Sequence, residues 1–253
     1  IYKRGHEDYY LVSAGAMERH DWDYLSKLAP QNSSFKLNKI TSSKGVLVLA
    51  GPRSRDLLGQ LTSSDLTNAA FPWLTGKTIN IGAVEVEALR VNFVGELGWE
   101  LHHPIEMQNY LFDELFRVGA DYELKPFGIR AMDSLRLEKS YRLIPREMSI
   151  EYSALESGLD RFVKLDKEHD FVGKDGLLEW QQEGFENSFV TLEVFGIADA
   201  DARGSEAIYR DGNVVGRATS GGYGFRVDKS LALGLVKPEF ASLDTDLEIE
   251  ILG

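Results

Sequence analysis

Hydrophobic residues recur at helical intervals in several parts of the chain. Leu57, Leu58 and Leu61 share one face of a predicted short helix, and a longer amphipathic pattern stops at Gly119, a residue type that favours helix termination. The same spacing predicts three further helices. In chain order, the predicted helices cover residues 16–25, 54–61, 107–119, 131–141 and 173–183.

Other segments predict strands. Residues 45–50 (GVLVLA) form an unbroken apolar run, which is typical of a strand buried on both faces. Residues 83–94 predict one long strand or a strand pair, and residues 9–13 predict a short one. Residues 30–34 are predicted to form a loop.

The pattern changes near Ser188, where short alternating runs replace the helical spacing. Between two of these runs, Asp211 and Gly212 predict a hairpin, because a two-residue type I′ turn requires positive φ at both central positions. We therefore expect about the last 65 residues to form a separate all-β module.

Residues 91–104 carry the most informative local pattern. With the two-residue period of a strand, Glu96 and Glu100 share one face, whereas Trp99 and Leu101 share the other. Trp99 can anchor the strand in a core while Glu100 points away from it. A carboxylate fixed in this way can accept two parallel hydrogen bonds from a donor–donor edge such as a guanidinium or an amino-pyrimidinone. The alternative is an ordinary solvent-exposed glutamate.

Composition narrows the functional classes. The 253 residues are 43% hydrophobic, enough for a globular core, and no apolar stretch reaches the length of a membrane helix. Cysteine is absent, which excludes thiolate catalysis and cysteine-ligated metal sites. The formal net charge of −12 opposes non-specific nucleic-acid binding. The chain has no signal peptide, lacks an initiator methionine and opens within a predicted strand, so we expect a fragment.

Few familiar catalytic motifs occur. The chain contains neither G-x-S-x-G nor H-E-x-x-H, and adjacent His102 and His103 would face opposite sides of a strand, so they cannot share one metal ion. The glycine-rich run at 221–224 lacks the spacing of a nucleotide-binding loop and is interpreted as a turn with a packed Tyr223.

A set of arginines forms the nearest approach to a basic patch. One interpretation is ion pairing with nearby acids along a helix, and the other is a cationic rim for a carboxylate-bearing ligand. The arginines are Arg130, Arg136, Arg142 and Arg146, and the acids are Asp133, Glu138 and Glu147.

Six strings taken together resemble the glycine-cleavage T-protein (aminomethyltransferase) family. The forms VGELGWEL and RLEKSY are closer to the folate-binding half of dimethylglycine and sarcosine dehydrogenases. The resemblance covers nearly the whole chain. In order, the strings are GPRSRDLL at 51–58, FVGELGWEL at 93–101, RLEKSYR at 136–142, LESGL at 155–159, VKLD at 163–166 with FVGK at 171–174, and VGRATSG at 215–221.

This resemblance implies an α+β fold: a three-lobed ring with antiparallel sheets and helices in the first two lobes and a C-terminal β-barrel. Lobe one would comprise residues 45–136, with its first segment missing. Lobe two would comprise residues 1–44 and 137–178, and the barrel residues 179–253. Tetrahydrofolate would bind in the central channel as a co-substrate.

The resemblance also assigns candidate site residues. Glu100 matches the glutamate that holds the N3–H and 2-amino edge of the pterin, and Tyr141 matches a tyrosine of the folate channel. Phe93 stands where the T-protein has a tyrosine. Arg130 lies two residues before Met132, which replaces a family arginine, so Arg130 is a candidate for the substrate or the folate tail.

The implied function is tetrahydrofolate-dependent transfer of an aminomethyl or methyl group from a small-molecule one-carbon donor. The catalytic aspartate of the family would lie upstream of Tyr2. Two alternatives stay open: the folate-binding module of a flavin-dependent dimethylglycine or sarcosine dehydrogenase, with its flavin domain upstream, or a non-catalytic folate-binding relative. We expect no metal, no flavin site in this chain, no nucleic-acid or membrane partner, and a cytoplasmic location (or the mitochondrial matrix in a eukaryote).

Overall fold

The computed structural model describes residues 1–29, 35–196 and 199–253. The predicted loop at 30–34 lies outside the described residues. The chain forms two compact units, Ile1–Pro126 and Phe127–Gly253. No helix among the described residues is both long and apolar enough to cross a membrane.

Where the structure describes it, the first unit combines short strands with three α-helices. Its elements are β1 (Tyr2–Lys3), β2 (Tyr9–Tyr10), α1 (Glu18–Leu28), β3 (Lys44–Ala50), α2 (Ser54–Gly59), β4 (Gly76–Ile81), β5 (Val84–Leu89), β6 (Gly98–Pro104) and α3 (Gln108–Gly119). The predicted helices at 16–25, 54–61 and 107–119 are therefore confirmed, with bounds that differ by a few residues.

A four-stranded antiparallel sheet in the order β3-β6-β5-β4 organises this unit. Its core face packs against α2 and α3. The core includes Leu57 of α2, Leu111 of α3 and Trp99 of β6, each no more than 2% exposed. The apolar stripes of α2 and α3 are both buried against this one sheet face. Helical and strand patterns therefore alternate along the sequence of this unit.

The prediction that residues 45–50 are buried on both faces is wrong. Leu49 is buried at 4% exposure, but Val46 and Val48 are 45% and 44% exposed. The segment is the edge strand of an antiparallel sheet, and alternate side chains point to the face opposite the core. An apolar run alone does not distinguish this arrangement from a strand covered on both sides.

The described residues of the second unit form two α-helices and five strands. Its elements are α4 (Ile129–Leu137), α5 (Lys174–Glu183), β7 (Ser188–Val194), β8 (Ala207–Arg210), β9 (Asn213–Gly224), β10 (Lys229–Val236) and β11 (Glu248–Ile249). The strands form one antiparallel sheet in the order β11-β8-β9-β10-β7. The helix predicted over 131–141 ends at Leu137, and a helical turn bonds the amide of Tyr141 to the carbonyl oxygen of Arg136 at 3.0 Å.

The predicted Asp211–Gly212 hairpin is confirmed. It joins β8 to β9, and the φ angles of the two residues are +51° and +74°. These values match the positive φ that a type I′ turn requires at both central positions.

The prediction of a turn at residues 221–224 is wrong, because these residues complete strand β9. The structure shows why glycine is used inside a strand there. A Cβ atom at Gly221 would lie 2.7 Å from the Cβ of Ala202, so the segment around Ala202 passes too close to leave room for a side chain at position 221. The turn itself follows at residues 225–228.

Helix α4 covers part of this sheet. Leu137 packs with Leu231, Leu233 and Phe189, and the Ser134 hydroxyl donates to the Tyr223 carbonyl oxygen at 2.6 Å. The strand-rich C-terminal segment therefore folds together with the helix that precedes it by about fifty residues in sequence.

Candidate functional site

Strand β6 presents Glu100 on the sheet face opposite the core. Trp99 and Leu101 on either side of it are fully buried, whereas the Glu100 side chain is 27% exposed. Glu96 precedes the strand, so the predicted two-residue alternation begins only at Gly98. Glu100 pairs in register with Val48 on one flanking strand and with Leu89 on the other. The carboxylate is thus carried by a central strand rather than a loop.

A chain of hydrogen bonds orients this carboxylate. Nε2 of His102 lies 3.1 Å from Oε2 of Glu100, and Nδ1 of His102 lies 3.0 Å from the Tyr10 hydroxyl oxygen. The consistent assignment for a neutral imidazole is that Nε2–H donates to Glu100 while the Tyr10 hydroxyl donates to Nδ1. Because a carboxylate has lone pairs on both oxygens, Glu100 retains acceptor capacity for a ligand.

Tyr10 is the last member of this series of hydrogen bonds, and it belongs to the N-terminal ribbon, the antiparallel pair of β1 and β2. Its ring meets the His102 ring edge-on at a centroid distance of 5.4 Å, and the Arg4 guanidinium lies 4.3 Å from the Tyr10 ring centroid. This cover leaves His102 only 1% exposed although it lies on the face opposite the core. Burial raises the pKa of Tyr10, and the negative charge of Glu87 adds to the effect.

Glu87 fastens the N-terminal ribbon to the sheet. It pairs with Arg4 and with Lys44, with Nζ of Lys44 3.2 Å from the carboxylate, and it stands in register with His102. Burial by itself would raise the pKa of Glu87, but the hydrogen bonds from Arg4 and Lys44 outweigh it and hold that pKa below its usual value.

Phe93 lies in the loop between β5 and β6, partly buried, in the same unit as Glu100. The loop is organised by Asn92, whose Oδ1 accepts the Val94 amide at 3.0 Å and whose amide nitrogen donates to the Glu96 carbonyl oxygen. Gly95 adopts φ of +70°, which allows the chain to turn back into β6.

The other two candidates lie in the second unit. Tyr141 follows α4 and is partly buried, and its carbonyl oxygen accepts Nη1 of Arg136 at 3.0 Å. Arg130 is exposed in the first turn of α4. The roles of Tyr141, Phe93 and Arg130 in ligand binding stay predictions.

Of the arginines near α4, one matches the ion-pairing interpretation and two make backbone contacts instead. Arg136 is fully buried and pairs with Asp133 at 2.7 Å and with Glu147 at 3.5 Å, so ion pairing is confirmed for it. Arg142 and Arg146 donate instead to backbone carbonyl oxygens, with Arg142 bonded to those of Ser140, Ser157 and Gly158. Burial lowers the pKa of Arg142. Arg136 and Arg142 are therefore held by contacts within the fold, whereas Arg146 is exposed.

A buried polar centre around Glu147 was not anticipated from the sequence. Glu147 is fully buried and accepts the hydroxyls of Thr219 at 2.6 Å and Ser220 at 2.5 Å and the Leu143 amide at 2.8 Å. These donors with Arg136 compensate the desolvated charge. His102 and Tyr10 were likewise missed as partners of Glu100. The i, i+2 spacing of Glu100 and His102 on one strand face was the available signal.

Comparison with known proteins assigns the family. The GCVT N-terminal domain matches residues 1–167, and the glycine cleavage T-protein C-terminal barrel domain matches residues 187–253. The chain belongs to the glycine-cleavage T-protein family. This confirms the family resemblance, the α+β fold class with antiparallel sheets, and the C-terminal barrel domain.

The chain spans only part of the length of the relatives that it matches. The chain is 37% identical over 247 residues to dimethylglycine dehydrogenase of Mus musculus, covering 97% of this chain but 28% of that protein. It is 32% identical over 251 residues to an aminomethyltransferase of Bacillus mycoides, covering 99% of this chain and 67% of that protein.

A solved structure shares the fold. Aminomethyltransferase T of the glycine cleavage system from Bartonella henselae superposes with a TM-score of 0.78 at 24% identity. The superposition covers 94% of this chain and 63% of that one.

Proposed function

We propose that this chain takes part in tetrahydrofolate-dependent one-carbon transfer, with Glu100 as the residue that binds the pterin edge. The observation that carries the proposal is the orientation of the Glu100 carboxylate on β6. His102 bonds to this carboxylate, and the preceding residue of the same strand, Trp99, is buried in the core. An ionised carboxylate in this setting matches the adjacent N3–H and 2-amino donors of a pterin.

The chemical work required of the protein is binding and positioning. Holding the folate N5 atom against a one-carbon donor converts a bimolecular step into an effectively unimolecular one. Glu100 sets the register of the ring, and His102 with Tyr10 keeps Glu100 in the receiving orientation. Tyr141 and Phe93 would add ring contacts, and Arg130 would meet an anionic part of the substrate or of folate. The catalytic aspartate remains predicted upstream of Tyr2.

Calorimetry with tetrahydrofolate on the full-length protein tests this proposal. Replacing Glu100 with Gln exchanges one acceptor oxygen for a donor, so one of the two ligand N–H groups faces another donor. We expect binding to weaken by about 2–3 kcal/mol, roughly 30- to 150-fold in Kd. Glu96→Gln is the matched control, because it replaces a carboxylate with a carboxamide in the same way at a residue that precedes β6. Equal affinities for wild type and Glu100→Gln would remove Glu100 from the site.

A second candidate is a module within a larger dehydrogenase. The chain is 35–37% identical to dimethylglycine dehydrogenases, which is above the 32% found for the aminomethyltransferase of Bacillus mycoides, and spans less than a third of those proteins. Under this alternative, the chain would accept a one-carbon unit produced by an upstream flavin domain. A flavin absorbance spectrum in the purified full-length protein would favour it, and one-carbon transfer by a full-length protein without flavin would favour an independent transferase. Folate binding without turnover would favour a non-catalytic relative.

The cellular compartment belongs to the same proposal. The dimethylglycine dehydrogenase relatives are named as mitochondrial proteins. We propose the mitochondrial matrix if the source is eukaryotic and the cytoplasm otherwise.

A further inference from the structure

Two guanidinium groups in the first unit converge on one amide oxygen. Nη2 of Arg55 lies 2.7 Å and Nη2 of Arg90 lies 2.8 Å from Oδ1 of Asn68. Arg55 comes from α2 and Arg90 directly follows β5, so the arrangement is produced by the tertiary fold. Asn68 is exposed and both arginines are partly buried, so the cluster opens to solvent at Asn68. We call Arg55, Arg90 and Asn68 the arginine pair site.

The site has more donors than acceptors, although Nη1 of Arg90 also donates to the carbonyl oxygen of Phe71. Nε of Arg55 and Nε1 of Trp99 are both buried and have no hydrogen-bond partner among the described residues. The Trp99 ring centroid lies 5.9 Å from the Arg55 guanidinium carbon and 6.0 Å from that of Arg90. Within the part of the chain that the structure describes, Arg55 makes one hydrogen bond, the bond to Asn68. Buried donors in folded proteins are usually paired, so this surplus indicates a missing acceptor.

The site also carries uncompensated positive charge. No carboxylate of the described residues forms an ion pair with Arg55 or Arg90, whereas Arg4 pairs with Glu87 and Arg117 with Glu114 in the same unit. The chain has 40 acidic and 28 basic residues, so acids are not scarce. Burial lowers the pKa of Arg90, and the neighbouring charge of Arg55 lowers it further.

We propose that the arginine pair site binds an oxoanion of the phosphate type, as a free anion or as the phosphoryl group of a ligand. Two guanidinium forks present several N–H donors in fixed directions, and a dianion neutralises both charges at once. A monocarboxylate would neutralise only one charge. On β6, Trp99 faces the core and Glu100 the opposite side, so this site is separate from the proposed pterin contact and does not depend on it.

The test uses the full-length protein and inorganic phosphate at low ionic strength. Chemical shifts of the arginine Nε–H groups are followed during titration, with chloride at matched ionic strength as the reference. We expect saturable shifts of the Arg55 and Arg90 resonances with phosphate and none of comparable size with chloride. Shifts of equal size with both salts would overturn the proposal, because they would reflect screening alone. Acetate distinguishes a carboxylate from a phosphate preference, and tighter binding of acetate would overturn the assignment to phosphate.

Matched variants assign the binding to these residues. Arg55→Gln removes one charge and should weaken phosphate binding roughly tenfold or more, and Arg55→Lys, which keeps the charge but not the fork, should weaken it less. Arg53→Gln is the control, because it removes the same charge two residues earlier in the chain. The Arg53 guanidinium lies over the Tyr122 ring, 4.7 Å from its centroid. Equal losses in Arg55→Gln and Arg53→Gln would overturn the proposal. If Arg55→Gln lowers the folded fraction, the comparison of Arg55→Lys with Arg53→Gln decides by the same criterion.

Discussion

At the scale of single residues, the account depends on how a partly exposed carboxylate is held still. An unrestrained glutamate loses side-chain entropy when it binds a ligand, and a glutamate already bonded to a buried partner loses less. His102 supplies this restraint at 3.1 Å, and Tyr10 fixes the His102 ring from the other nitrogen. We therefore expect His102 and Tyr10 to affect affinity for the proposed ligand without touching it.

Replacing His102 tests this restraint. In His102→Phe the carboxylate of Glu100 loses its donor, and we expect tetrahydrofolate affinity to fall about tenfold, equivalent to one hydrogen bond to a charged group of about 1.5 kcal/mol. His102→Gln can offer an amide N–H to Glu100 and should recover part of that loss. Calorimetry on variants with matched thermal stability makes the comparison. If Phe and Gln at this position bind folate equally well, His102 is a packing residue only.

Glu87 gives a pH-dependent prediction. Its pKa is lower in the folded protein than its ordinary value of 4.5, so the stability it contributes is present above that value and is lost as pH falls through the folded pKa. Glu87→Gln should lower the free energy of unfolding by about 1–3 kcal/mol at neutral pH, because Arg4 and Lys44 lose their partner. Urea titrations between neutral and acidic pH should show the difference from wild type shrinking. A difference that is constant across this range contradicts the assignment.

At the scale of elements, residue patterns predicted helices and hairpins where the deciding interactions are local. Asp211–Gly212 is such a case, because the turn depends on two φ angles that these residue types favour. Helix α3 is another, since its apolar stripe matches a single sheet face. The predictions for residues 45–50 and 221–224 were wrong because segments elsewhere in the chain decide what surrounds these residues. Whether another segment covers Val46 and Val48, which are in fact exposed, and how closely Ala202 passes Gly221 depend on residues outside the local sequence.

Two glycines of the second unit provide a matched test of backbone effects. Gly212 has φ of +74° and Gly176 lies within helix α5, and a Cβ atom at either position would meet nothing within 4 Å. Gly212→Ala should therefore lower the free energy of unfolding by about 1 kcal/mol through backbone strain alone. Gly176→Ala should raise it by roughly 0.5–1 kcal/mol through helix propensity.

Urea unfolding of the two alanine variants measures both changes against wild type. Because neither substitution creates a steric contact, an unchanged or higher free energy of unfolding in Gly212→Ala would show that the positive φ at Gly212 does not set the stability of the hairpin.

At the scale of the whole molecule, the family assignment rests on the order of the matching sequence strings and on the share of the chain that the family domains cover. The matched family domains span residues 1–167 and 187–253, and no single string in the sequence is specific by itself. Glu100 could be selected from the sequence because the period of two and buried Trp99 fix its direction. Tyr10 and the arginine pair could not, since their contacts join segments that are separated in the chain. His102 was indicated by its i, i+2 spacing from Glu100 alone.

The net charge of −12 has a consequence for ligand binding at the same scale. A global negative field disfavours anionic ligands such as folate or phosphate unless cations are concentrated locally. The arginine pair site is one such local concentration, and Arg130 is exposed on the other unit. Anion binding to this protein is therefore expected to depend on a few named residues and not on overall charge.

The most direct measurement is a crystal structure of the full-length protein with bound tetrahydrofolate. The account predicts that the Glu100 carboxylate accepts hydrogen bonds from N3–H and the 2-amino group of the pterin, at about 2.7–2.9 Å, while His102 remains bonded to Oε2. A pterin ring bound elsewhere, with the Glu100 carboxylate bonded only to His102 and solvent, would contradict it.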